Sequence, residues 1–232
     1  DTFDLYLIAQ DGSGTGPYGF GTPAQGNNVA EHTSPVIQTG EWAFVCGVQP
    51  DAGPSYLLYL NGVSIVATGA NYGGVRGSTA GQNPEIGAIS GSSNGFDGAI
   101  DDVRLYSRAL SASDIQQLYK QGAAKFAVSP VNSLTNGLVG YWTFDGKDTN
   151  WATGKTNDVI GGNNGQLISM STTTSPVLGK IGQALKFNSA SSYITGPSYN
   201  GVETVSFWLK PNSTTQLILS LDSTLASTSI SN

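Results

Sequence analysis

Short alternating runs of apolar and polar residues, each stopped by a turn-forming cluster, recur along this chain, and that rhythm leaves little besides a sheet protein. The clearest case is Tyr56-Leu-Leu-Tyr-Leu60, then Asn61-Gly62, then Val63-Ser-Ile-Val-Ala67. Asn-Gly tolerates positive φ at both central turn positions, so the two runs form a hairpin. Further strands are expected over Asp4–Ile8, Trp42–Val48, Ile100–Tyr106, Leu138–Phe144, Val202–Lys210 and Gln216–Leu221. In the strand before Lys210, Val205, Phe207 and Leu209 share one face, while Trp208 falls on the polar face and must find cover elsewhere. One helix is expected over 111–121: Ser111-Ala-Ser-Asp114 opens it in capping-box fashion, Ile115, Leu118 and Tyr119 are spaced for one face, and Gly122 stops it. It reads as a plug or clasp on a sheet protein. With 31 Gly and 10 Pro, the composition is that of turns and short strands, and the expected class is all-β.

Charge narrows the partners. Ten Lys and Arg against 16 Asp and Glu leave a net charge of −6 and no basic stripe for a phosphate backbone, so nucleic acid is a poor partner. One His and one Cys cannot make a His/Cys metal cluster or a disulfide framework, and Cys46, inside an apolar run, reads as a buried free thiol. No run approaches the roughly 18 apolar residues of a membrane helix, and no leader opens the chain. Membrane insertion is not expected, and an export signal would lie outside these residues. Few Lys and Glu, many Thr and Asn, and the sequon Asn212-Ser213-Thr214 fit an extracellular surface.

The run from Phe96 to Tyr119, Phe-Asp-Gly-Ala-Ile-Asp-Asp-Val-Arg-Leu-Tyr-Ser-Arg-Ala-Leu-Ser-Ala-Ser-Asp-Ile-Gln-Gln-Leu-Tyr, resembles the closing strand and terminal helix of a laminin-G-like domain of the concanavalin A-like lectin/glucanase superfamily, in the branch found in bacterial surface proteins. The hairpin and Gly40-Glu-Trp42 resemble that family's middle strands. Gly137–Asp145, Asp158–Gly165, Gly179–Phe187 and Val205–Leu209 resemble its opening strands. The resemblance implies a two-sheet antiparallel jelly-roll sandwich with its halves in permuted order: residues 1–124 the closing half, 125–136 a linker, 137–232 the opening half. Half a sandwich would leave an apolar face and open sheet edges in water. Three arrangements follow: closure within one chain, exchange of halves between neighbouring copies in a fibre or array, or a window on a longer protein. Closure of either kind requires the surroundings of Asn232 to meet those of Asp1, and the strand around Trp142 to meet Val103–Tyr106.

Strict alternation places Asp101 on the face of Val103 and Leu105, and Asp102 with Arg104 and Tyr106. A carboxylate among apolar neighbours needs a partner or a cation. Asp158 and the Asn163-Asn164-Gly165 turn add hard oxygens, which the resemblance implies lie near the closing strand. One reading is a structural calcium held by Asp158, Asn163 or its neighbour's carbonyl, and Asp101 or Asp102. The other is that Asp102 pairs with Arg104 or Arg108 while Asp158 and the asparagines shape turns. Trp151, Tyr72, Tyr18 and Tyr199 are candidate stacking faces for a glycan; Trp42, Trp142 and Trp208 read as packing residues. Hydrolysis of a glycan needs two facing carboxylates, and the four glutamates, Glu31, Glu41, Glu85 and Glu203, are isolated from one another. Gly14-Thr-Gly-Pro-Tyr-Gly19 lacks the helix that would receive a phosphate, and His32 has no nucleophile-elbow serine to serve. The expected function is a non-catalytic, extracellular or cell-surface module binding a glycan or a surface protein; the competing expectation is a structural subunit that polymerises with copies of itself.

Overall fold

The computed structural model describes residues 4–7, 18–20, 30–32, 37–50, 57–65, 84–88, 95–123, 134–188, 191–199, 201–212 and 216–220, the first three stretches as backbone only. In chain order the elements are β1 (Asp4–Leu7), β2 (Tyr18–Phe20), β3 (Ala30–His32), β4 (Ala43–Val48), β5 (Leu57–Leu60), β6 (Val63–Ile65), β7 (Glu85–Ile86), β8 (Asp97–Tyr106) and helix α1 (Ala112–Ala123). Then come β9 (Leu138–Trp142), β10 (Thr149–Asn150), β11 (Lys155–Thr156), β12 (Gly165–Ile168), β13 (Pro176–Leu178), β14 (Gln183–Asn188), β15 (Tyr193–Thr195), β16 (Thr204–Pro211) and β17 (Gln216–Ser220). They form two antiparallel sheets, β10-β11-β12-β15-β7-β17-β1-β2-β3 and β13-β14-β8-β16-β4-β5-β6, with β9 added to β8.

The strands before and after α1 interleave in both sheets. β7 lies between β15 and β17, and β17 lies between β7 and β1. β8 takes β14 along Asp97–Ile100 and β9 along Val103–Tyr106 on one side, and β16 on the other; β16 in turn lies against β4. Trp142 is the register partner of Val103 and Tyr141 of Arg104. Asp1 and Asn232 lie outside the described residues, but Asp4 is the partner of Ser220.

Two apolar layers result. Val45, Ile100, Val103, Leu105, Trp142, Phe187, Val205, Phe207 and Leu209 fill the space between the sheets. The second layer lies on the outer face of the β8 sheet, where Ile115 and Leu118 of α1 cover Phe44, Cys46, Tyr106 and Trp208. That is the cover Trp208 requires: it is 1% exposed, with its ring stacked on Tyr119 at 5.7 Å. Cys46 is a buried free thiol as expected, and burial pushes its pKa far up. Ser111 caps α1 reciprocally with Asp114, its hydroxyl accepting the Asp114 N–H and its N–H donating to the Asp114 carboxylate, both at 3.2 Å. Asn61 and Gly62 adopt φ of 51° and 76°, the left-handed pair the hairpin needs.

One local expectation fails. Gly122 does not stop the helix but lies within it, and a Cβ there would stand 2.2 Å from Trp208 Nε1, so it is glycine for packing. Leu134, inside the stretch read as linker, is buried in the outer layer.

Candidate functional site

β8 does not alternate strictly. Ser206 faces Arg104 and Trp208 faces Asp101, so Phe207 opposes two residues, Asp102 and Val103. The extra residue is a β-bulge, and Asp102 carries it at φ 57°. The bulge shifts the alternation, leaving Ile100 and Val103 both in the inner core and both aspartates on the outer face. The expectation that Asp101 shares the face of Val103 and Leu105, opposite to Asp102, is therefore corrected.

Each aspartate has its own set of partners. Asp102 accepts from Arg104 Nη2 at 3.2 Å and from the Tyr141 hydroxyl at 2.5 Å. The guanidinium also lies 4.5 Å from the Tyr141 ring centroid, donates to the Tyr141 oxygen at 3.1 Å and reaches Gln121 of α1 at 3.4 Å. Burial works to lower the Arg104 pKa, but Asp102 and then Tyr141 outweigh it and hold the arginine charged. Burial and then Asp102 push the Tyr141 phenol well above its ordinary range. Asp101 is fully buried; its Oδ2 accepts the Lys180 and Ile181 N–H groups, both at 2.8 Å, and so fastens the turn between β13 and β14 to β8. Gly179 lets that turn approach, since a Cβ there would meet Asp101 Oδ2 at 2.6 Å. Oδ1 has no hydrogen-bond partner among the described residues, nor has the buried indole N–H of Trp208, while the Lys180 ammonium sits 4.7 Å from the Trp208 ring. Burial raises the Asp101 pKa to about 8; the Ile181 and Lys180 amides oppose this, and Asp102 and Asp145 add to it.

Asp158 closes a different loop. Its Oδ1 accepts from the N–H groups of Tyr141 and Ile160 at 2.9 and 3.0 Å, and its Oδ2 from Gly161 and Asn163 at 3.1 and 3.3 Å and from the Tyr199 hydroxyl at 3.4 Å. Asn164 Oδ1 takes the Asp158 N–H at 3.1 Å. This organises a rigid turn that presents Val159 and Ile160, 42% and 50% exposed.

The carboxylates suggested for calcium already have partners in the fold. A carboxylate offers about four lone-pair positions, and five donors already occupy Asp158. Asp102 is neutralised by Arg104. Asp158 holds the main-chain nitrogen of Tyr141 while Asp102 holds the phenol at the far end of the same side chain, so their oxygens diverge. Asn163 donates its backbone N–H to Asp158 Oδ2. No group of three or more His, Cys, Asp or Glu is placed for a metal among the described residues.

The candidate aromatics separate too. Tyr199 is not an open platform: it is 6% exposed, edge-on to Trp142 at 5.8 Å, with burial first and Asp158 second raising its phenol pKa far above normal. Trp151, in the turn between β10 and β11, is half-buried against the inner core and keeps the remainder of its surface in solvent. Tyr72 lies outside the described residues; Tyr18 and His32 stand on β2 and β3, whose side chains are likewise outside them. Of the sequon, exposed Asn212 bonds Asp97 through its amide nitrogen at 3.1 Å, and Ser213 and Thr214 lie outside the described residues.

Tyr141 and Lys180 organise the two aspartates, and the sequence reading named neither. The only signal for Tyr141 was its position opposite Arg104 if β9 pairs with β8. For Lys180 there was none, because 79 residues separate it from Asp101. No described helix is long and apolar enough to cross a membrane. No curated protein and no solved structure matched the chain. The laminin G-like family model, described as the Concanavalin A-like lectin/glucanases superfamily, matches residues 2–116, so that segment is laminin-G-like, and the two antiparallel sheets are consistent with a concanavalin A-like sandwich.

Proposed function

We propose that the chain is one laminin-G-like sandwich whose closing half precedes its opening half, and that it serves as a non-catalytic extracellular module for adhesion or carbohydrate binding. The observation that carries this is the family match over residues 2–116 on a two-sheet sandwich, since members of that group at large are binding modules. Fold alone does not fix function, so the site has to supply the rest. The Asp101 and Asp102 pair shares a face, yet it argues against hydrolysis for another reason: both carboxylates are buried, one bonded by two amides and the other by an arginine and a tyrosine. A glycosidase needs an acid and a base that reach the scissile bond from either side. Trp151 is the stacking residue we assign to a sugar, because a ring anchored on one side and wet on the other is rigid at little entropic cost.

A glycan array probed with the full chain tests this, with Trp151→Ala beside it. A bound glycan that Trp151→Ala weakens about tenfold or more, with an unchanged melting curve, supports the site. Equal binding by both proteins removes Trp151 from it. Reducing-end release from a polysaccharide panel, abolished by a single Asp or Glu substitution, would overturn the non-catalytic reading.

A further inference from the structure

β8 belongs to the segment matched by the family, yet all three of its strand neighbours, β9, β14 and β16, come from the chain after α1. β7 is in the same position between β15 and β17. The converse holds once in each sheet, where β16 joins β4 and β17 joins β1 to strands of the other segment. Each segment alone would therefore leave open strand edges whose partners are the strands of the other.

From this interleaving we propose that the chain also assembles with a second copy of itself, residues 134–220 of one copy completing residues 4–123 of the other. Because the copies are identical, an exchanged pair regains every strand pairing of the closed chain, and the two forms differ only at the connection. The covering surface is thus the one already described, and the occupant is the same segment from another molecule. The inference goes beyond the binding role and holds whether or not a sugar is bound.

The connection supplies the test. α1 has 12 residues and is about 18 Å long. Its first turn lies beside Arg108, which pairs with Asp114 and bonds the Asn136 carbonyl, while Gly122 near its far end abuts Trp208. When the chain closes on itself, residues 124–133 join Ala123, at the far end of α1, to Leu134, two residues before Asn136 beside its first turn. Deleting residues 126–132 leaves four steps between Ala123 and Leu134, about 14 Å at full extension. The deletion variant is expected to elute as a dimer or larger species with the near-ultraviolet signature of buried Trp142 and Trp208. A folded monomer would overturn the proposal. If the variant fails to fold, the full chain decides: two differently tagged batches refolded together should yield doubly tagged particles whose share rises with concentration. Their absence up to about 100 µM refutes exchange.

Discussion

Replacing Asp101 with Asn changes how stability depends on pH, and the direction follows from the burial of this carboxylate. In the fold its pKa is about 8, against 3.8 for the ordinary group. A raised acid pKa means that the folded state holds the proton more tightly than the unfolded one, so the contribution is complete below about pH 4 and is lost as pH rises toward 8. Each pH unit in that window costs about 1.4 kcal/mol, at most about 6 kcal/mol in all. Asn keeps an oxygen for the Lys180 and Ile181 amides and carries no charge at any pH, so Asp101→Asn removes this slope. The groups whose pKa is lowered, Asp114 and Asp148, lose their contribution below pH 4 and do not enter the window. Urea unfolding followed by tryptophan fluorescence at pH 5, 6.5 and 8 measures it for both proteins. The difference should favour the Asn variant and grow with pH, approaching zero near pH 4. Parallel curves, or a variant that is less stable at pH 8, would show that Asp101 is ionised in the fold and refute the reasoning.

Gly122→Ala sets helix propensity, a gain of about 1 kcal/mol, against a methyl 2.2 Å from Trp208 Nε1. Overpacking costs about 1–3 kcal/mol, so thermal or urea denaturation should show net destabilisation, and a stabilised variant would contradict the placement of α1. Asp158→Ala leaves the amides of Tyr141, Ile160, Gly161 and Asn163 without their acceptor and should cost about 3 kcal/mol by urea denaturation. EDTA should leave the wild-type melting temperature unchanged, because five hydrogen-bond donors already occupy the Asp158 carboxylate; a lowered melt would restore calcium.

What the sequence made legible were features settled within a few residues: the Asn61-Gly62 turn, the Ser111 cap, and the displaced Trp208 that demanded an outer layer. The laminin-G-like resemblance also set the Trp142 strand against Val103–Tyr106, where it lies. Features that depend on distant chain were hidden. The bulge at Asp102 arises from register against β16, a hundred residues on, and nothing in the dipeptide Asp101-Asp102 announces it. Gly122 looked like a helix stop because the indole it makes room for is 86 positions away, from 122 to 208. Tyr199 stood among polar residues and Gly and Pro, yet its burial comes from Trp142 and Asp158.

The pairing of β14 with β8 can be read directly with a disulfide. Asp97 and Asn188 are register partners at the rim, one from each side of α1. In dilute solution, oxidised Asp97→Cys/Asn188→Cys protein cut within residues 124–133 should stay one piece on a non-reducing denaturing gel and separate on reduction. Asn150→Cys/Lys155→Cys, a pair within one segment, provides the control for oxidation. If the control closes while the rim pair stays reduced, the two segments do not meet as described.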